Sequence, residues 1–185
     1  MASKEEKILD LFLNESSKHW HFEHILKAAK VSRSNAVKWL AKFERQGIIR
    51  RIKPEGKMPY HIGNFDSPAY QTRKKVYALT KLQESGFLDH LTALPNTKTV
   101  ILFGSLSRAD WYTDSDIDLF IYGDDDQLDV ATYETALKRE IQVFTVKNEK
   151  ELQEFNQGLL KNIMNGYRIK GRIDELLQVN EHATV

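Results

Sequence analysis

Cysteine is absent from the 185 residues, which excludes a disulfide framework, a cysteine-based zinc site and a thiol nucleophile. Proline (4) and glycine (9) are too scarce for a collagen-like or low-complexity chain. Long apolar runs are missing too: 100–103 is among the longest, far short of the ~18 residues that a membrane helix needs. The first ten residues are charged and carry no apolar signal core, so a cytoplasmic protein with no membrane association is expected. What remains is an ordinary globular composition, 41% hydrophobic and 29% charged, with length for one large domain or two small ones. Of the 6 histidines, His19, His21 and His24 are close in sequence but have no cysteine or acidic partners spaced for zinc. His19 and His21 are expected in a loop.

The net charge of +1 conceals an asymmetry. Residues 1–66 carry 13 Lys/Arg against 8 Asp/Glu, residues 67–97 carry 4 against 2, and residues 98–185 carry 10 against 16. A basic half suits a polyanion, and an acidic half with clustered aspartates suits a divalent metal. The basic part reads as three short helices and a hairpin. Ile8, Leu9, Leu11 and Phe12 have helical spacing over 5–14, and Phe22, Ile25, Leu26 and Ala29 repeat it. Ser32 can cap a third helix with Ala36, Val37, Leu40 and Phe43 as its apolar face, stopped by Gly47. Trp39 lies beside that stripe and is read as core or interface. A strand over 48–52, a Pro54-Glu55-Gly56-Lys57 turn and a return strand over 58–62 complete the set.

These are the parts of a winged helix-turn-helix, and residues 22–62 resemble that domain in prokaryotic transcription regulators. The third helix would then enter the major groove with Arg33, Ser34, Asn35, Lys38 and Lys42 outward. Arg33 and Asn35 are of the types that read guanine and adenine. Lys38 and Lys42, with Arg50, Arg51, Lys53 and Lys57 on the hairpin, would hold phosphate. DNA is the expected partner, with protein docking as the alternative. Ser67-Pro68 starts a further helix over 69–84, with Val76, Leu79 and Leu82 as its periodic face, a linker or a dimerisation element.

In the acidic half, residues 99–103 form an apolar, β-branched strand that runs into Gly104-Ser105. A helix can start over 106–111. An alternating strand over 116–122 follows. Period two puts Asp116 and Asp118 on one face and Ile117, Leu119 and Ile121 on the other, towards a core. Two neighbouring carboxylates repel, and a divalent cation between them removes that cost. The glycine admits a phosphate close to the backbone, and the serine hydroxyl can bind it. A helix over 126–138, a strand over 139–146 and a long helix over 149–166 follow. Asp124, Asp125 and Asp126 read as a solvated turn.

Gly104-Ser105, Arg108 and the run Ser115-Asp116-Ile117-Asp118-Leu119 resemble the signature of the DNA polymerase β-like nucleotidyltransferases, in their minimal prokaryotic form. Ala109 departs from the glycine frequent after that arginine. The resemblance covers about 95–175. It implies two Mg²⁺ ions held by Asp116, Asp118 and a third carboxylate from the next strand. Glu140 and Gln142 share a face there, and Glu140 is the choice because it keeps the charge. It implies an NTP, ATP first, gripped by Gly104, Ser105, Arg108 and Ser115. A nucleoside monophosphate would pass to a protein, an RNA end or a small molecule. Some relatives of this kind act as antitoxins on a toxin partner.

The expected fold is therefore α+β: a winged helix-turn-helix over 1–66, linker or dimerisation helices over 67–94, and a small α/β nucleotidyltransferase domain with a mixed sheet over 95–185. The alternative function is a DNA-binding regulator whose second domain only senses nucleotide.

Overall fold

A computed structural model describes residues 3–107 and 115–172. They belong to two compact units, Met1–Tyr77 and Ala78–Val185, and contain eight helices and two sheets.

The first unit opens with α1 (Lys4–Asn14), β1 (Trp20–His21), α2 (Phe22–Ala29), α3 (Arg33–Arg45), β2 (Ile49–Ile52) and β3 (Tyr60–Gly63). Ser3 caps α1 reciprocally: its Oγ accepts from the Glu6 amide at 3.1 Å and Glu6 Oε2 accepts from the Ser3 amide at 2.6 Å. Ser32 caps α3, and Gly47 ends it at φ +69°, a conformation that suits glycine. The strands pair antiparallel in the order β1-β3-β2. Ile8, Phe12, Ile25, Ala36, Leu40, Phe43, Ile48 and Ile49 form the core between helices and sheet.

Two expectations change in this unit, and the reading of Trp39 as core or interface does not. His19 lies outside the helices and strands as expected, but His21 does not: with Trp20 it forms β1, too short for a period-two pattern to announce. Val37 is 56% exposed and lies beside Arg33, Ser34 and Lys38 rather than in the core. Trp39 is half-buried against that core, stacks on Phe43 at 6.5 Å, and carries the Lys38 and Lys42 ammonium groups 4.8 Å from its ring.

α4 (Pro68–Glu84) starts in the first unit and ends in the second. Its buried stripe is Tyr70, Lys74, Ala78 and Leu82, at four-residue spacing, while Val76 is 54% exposed. The expected apolar face was therefore rotated. The true one includes a lysine, whose Nζ donates to the Leu13 carbonyl, and a tyrosine whose hydroxyl donates to the Phe12 carbonyl at 3.0 Å. Burial of a polar head is tolerable where such a bond is made.

The second unit continues with α5 (Phe87–Ala93), β4 (Thr97–Phe103), β5 (Ile117–Gly123), α6 (Val130–Leu137), β6 (Ile141–Val146), α7 (Glu149–Gln153), α8 (Gln157–Met164) and β7 (Tyr167–Lys170). The sheet order is β6-β5-β4-β7; β5 and β6 run parallel and the other pairs antiparallel, so the sheet is mixed. The single helix expected over 149–166 is two, because Asn156 side-chain oxygen caps α8 by accepting from the Leu159 amide at 2.8 Å. β5 is not half-solvated beyond its start. Phe120 and Tyr122, on the aspartate face, are buried in a cluster with Ile101, Phe103, Val146, Leu152 and Ile163. The opposite-facing Ile117, Leu119 and Ile121 are fully buried as well. Only the first turn of this strand is left for chemistry.

His61 on β3 is buried, with Nε2 3.1 Å from Glu44 Oε1. Burial lowers its pKa below the ordinary 6.5, and Glu44 opposes that shift without cancelling it. The folded state thus binds this proton less readily than the unfolded chain. The stability His61 contributes is complete above 6.5 and is lost as pH falls through the lower folded value. The melting temperature should drop between pH 7 and pH 5, and His61→Gln should flatten that drop; an unchanged pH profile in the variant would contradict the assignment.

Candidate active site

The site is built where β4 ends and β5 begins. β4 and β5 are antiparallel with Phe103 opposite Asp118, so the residue after β4 lies beside the start of β5. Gly104 takes φ +68°, and a Cβ there would stand 1.8 Å from Asp118 Oδ2. Glycine is required twice, for the dihedral and for the carboxylate pressed against its Cα. Ser105 Oγ reaches towards the Asp116 carbonyl at 3.5 Å, and Ser107 Oγ donates to the Gly104 carbonyl at 2.8 Å, which tightens the turn. Asp116 and Asp118 are both half-exposed, two positions apart.

The start of β5 is fastened from the far side by the end of the α6–β6 connection. Arg139 Nη1 donates to the Ser115 carbonyl at 2.8 Å, and the Ile117 amide donates to the Glu140 carbonyl at 2.9 Å. Glu134 Oε1 accepts from the Ile141 amide at 2.9 Å, which ties α6 to β6. Ser115 therefore enters the site through its carbonyl, as an anchor for the aspartate strand.

The parallel pairing of β5 with β6 sets Asp118 beside Gln142. Gln142 Nε2 donates to Asp116 Oδ2 at 2.9 Å. Glu140, the expected third carboxylate, is not brought to the aspartates. It precedes β6, is exposed, and lines a shallow depression with Glu134, Thr135, Lys138 and Arg139. Positions 140 and 142 have the same parity in the expected strand over 139–146, so alternation alone could not choose between them; the inter-strand register sets Gln142 beside Asp118. Among the described residues, the one trio of acidic or histidine ligands with donor atoms within 4.8 Å of one another is Asp124, Asp125 and Asp126, at the opposite end of β5. There Asp125 Oδ2 accepts from Thr145 Oγ1 at 2.7 Å and Asp124 Oδ1 accepts from the Asp126 amide at 3.1 Å, so the trio is a bonded turn. Arg108, and the helix expected over 106–111 from that residue on, lie outside the described residues.

Residues 89–174 match the family model Polymerase beta, Nucleotidyltransferase. The protein carries a nucleotidyltransferase domain. Two solved structures resemble part of the chain. One is a toxin–antitoxin with AMP-PNP, at 18% identity and a TM-score of 0.37, covering 59% of this chain and 86% of that one. The other is a mutant of the toxin–antitoxin MntA-HpeT, at 16% identity and a TM-score of 0.35, covering 59% and 85%. No curated protein matches the chain. Within the nucleotidyltransferase domain, sequence reasoning missed Arg139 as the anchor of Ser115. Its signal was weak, a lone arginine at a helix–strand junction.

The donor set fits a divalent cation carried with a triphosphate. It offers two half-exposed carboxylates on one strand face, hard oxygen ligands of the kind Mg²⁺ takes. The turn opposite them has a backbone cleared by glycine and a serine hydroxyl.

In the first unit the basic residues are unequally placed. Arg50, Arg51, Lys53 and Lys57 are exposed on β2 and the following turn, and Lys38 is exposed on α3. Arg33 is paired to Glu23 at 2.6 Å, and Lys42 to Glu5 at 2.8 Å. Asn35 Nδ2 donates to Ser32 Oγ at 2.8 Å, and Ser34 Oγ lies 3.2 Å from the same hydroxyl. The two side chains of base-reading type are thus both engaged, Asn35 by the cap and Arg33 by Glu23.

Gly104→Ala should force the Asp118 carboxylate aside and strain φ, at about 1 kcal/mol for the dihedral alone. Thermal melting should fall by a few degrees while affinity for Mg²⁺–ATP falls at least tenfold, as read by equilibrium dialysis. Unchanged nucleotide affinity would show that the Gly104–Asp118 contact is only structural.

Proposed function

We propose that the protein transfers a nucleoside monophosphate, AMP from ATP, to an acceptor hydroxyl, and that its first unit is a winged helix-turn-helix that binds DNA. The observation that carries the transferase reading is the packing of the Asp118 carboxylate on Gly104, with Asp116 beside it, inside the segment that matches the nucleotidyltransferase model.

In this reading Asp116 and Asp118 hold the divalent cation, and Gly104 and Ser105 receive the β- and γ-phosphates, with Arg108 and Ser115 assigned to the same nucleotide. Mg²⁺ held there would supply charge neutralisation on the triphosphate. The acceptor oxygen forms a bond to the α-phosphorus, the bond from that phosphorus to the β-bridging oxygen breaks, and pyrophosphate leaves; the hydroxyl proton passes to solvent. The chain's own contribution is to fix the two carboxylates and the phosphate turn relative to each other before the substrate arrives. The acceptor is a protein side chain, an RNA end or a small molecule, and a toxin partner is the protein acceptor the resemblance suggests.

A second reading is favoured by Gln142: a neutral group beside Asp116 suits a domain that binds nucleotide and passes that state to a DNA-binding unit. The DNA face consists of Arg33, Ser34 and Lys38 on α3 with Arg50, Arg51, Lys53 and Lys57 on the wing. Val37, exposed among them, supplies the apolar contact a thymine methyl takes. Arg33, Asn35 and Lys42 are fully available only on release from Glu23, Ser32 and Glu5.

Asp118→Ala should abolish label transfer from α-phosphate-labelled ATP into the macromolecules of an extract, at least a hundredfold, without loss of the folded circular-dichroism spectrum. Retained transfer would remove Asp118 from the site. Lys38→Ala should weaken duplex binding similarly on all sequences and lower the salt-dependence slope by ~1. Absence of duplex binding by the wild type at low salt would remove the DNA reading.

A further inference from the structure

The neutral residue beside the aspartates has a consequence for how many cations the site can hold. Gln142 is held in register with Asp118 by the parallel β5–β6 pairing, and its amide nitrogen lies 2.9 Å from Asp116 Oδ2. The amide hydrogen therefore occupies one oxygen of Asp116. Reversing the amide would set its oxygen against a carboxylate oxygen, which is repulsive, so the donor orientation is the favoured one. Glu140, two positions earlier and just before β6, is exposed and lines a depression with Glu134, Thr135, Lys138 and Arg139.

We infer that Gln142 makes this a one-cation site: a single divalent ion, the one that accompanies the triphosphate, bound by Asp116 and Asp118, with the second-ion position blocked by the Gln142 amide. The inference rests on the nucleotide-binding reading above and narrows it. Two adjacent divalent ions ~4 Å apart repel strongly, and bridging carboxylates are what hold them together. Among the described residues the site offers two carboxylates, one of them already accepting a hydrogen bond from a neutral donor, which gives a second ion less charge and fewer open oxygens than three carboxylates would. Gln142 is thus a positioning residue that acts through Asp116. Slow transfer follows, because activation of the acceptor hydroxyl is the share of the chemistry that a second ion provides. A carboxylate in the same place supplies charge and an acceptor together.

The test counts Mn²⁺ by electron paramagnetic resonance in the presence of α,β-methylene-ATP, which binds without transfer. The full chain is used, and bound nucleotide is measured in the same sample. Wild type should hold one Mn²⁺ per bound nucleotide. Gln142→Asp and Gln142→Glu should be tried in parallel because their reach differs, and at least one should hold two, with the second ion bound at least tenfold more tightly than in wild type. A merely structural role for Gln142 would change melting temperature but not the count. Two ions per nucleotide in wild type, or one in both folded variants, would overturn the inference. Wild type that binds no nucleotide at all would instead overturn the nucleotide-binding reading on which it rests.

Discussion

The contact between the Asp118 carboxylate and the Gly104 backbone is the constraint on which the nucleotidyltransferase domain depends. It exists because β4 and β5 are antiparallel neighbours with Phe103 opposite Asp118. That pairing brings the turn after β4 to the carboxylate strand, and only a residue without a Cβ can stand there. The strand is rigid for a separate reason. Ile117, Leu119, Phe120 and Ile121 are fully buried, each worth about 1.5–3 kcal/mol, on both faces of the sheet. Against this, two carboxylates about 6.6 Å apart along a strand repel by between about 0.6 and 2.5 kcal/mol, depending on local dielectric. The core can hold that repulsion in place, and a cation relieves it.

Around this contact the fold places anchors rather than ligands. Arg139 and the Glu140 carbonyl fasten Ser115 and Ile117, and Glu134 fastens Ile141. Glu140 therefore serves the site through its backbone, while the residue whose side chain reaches Asp116 is an amide. The same economy holds in the first unit, where Ser32 engages Asn35 as it caps α3, and where Glu5 and Glu23 engage Lys42 and Arg33. Of the cations expected to face DNA, Lys38 and those on β2 and the turn after it carry no ion pair among the described residues.

Much of this was legible in the sequence, and the failures have physical causes. The Gly104-Ser105 turn and the Asp116/Asp118 pair stood out because a strand period of two puts the carboxylates on one face whatever the tertiary context. The choice between Glu140 and Gln142 did not, since both positions have the same parity and the register of a parallel pair is set by packing at a distance along the chain. Val37 and Val76 were assigned to apolar faces by helical periodicity, but a β-branched residue at the edge of a stripe can fall on either side of the true boundary. On α4 the decisive stripe contains Lys74, which no hydrophobic pattern would include, because its burial is made tolerable by the Leu13 carbonyl. β1 is two residues long and has no period to detect. The division of α7 from α8 did leave a signal, Asn156 as a capping residue inside an apolar helical pattern.

Asp116 and Asp118 are proposed to form a working cation and nucleotide site. The most direct test is calorimetric titration of ATP into the protein with and without Mg²⁺, for wild type and for Asp116→Ala/Asp118→Ala. Wild type should give saturable heat that requires Mg²⁺ and disappears in the double variant while its fold is retained. Binding that persists without Mg²⁺ or without the aspartates, or a flat titration with every NTP, would contradict it.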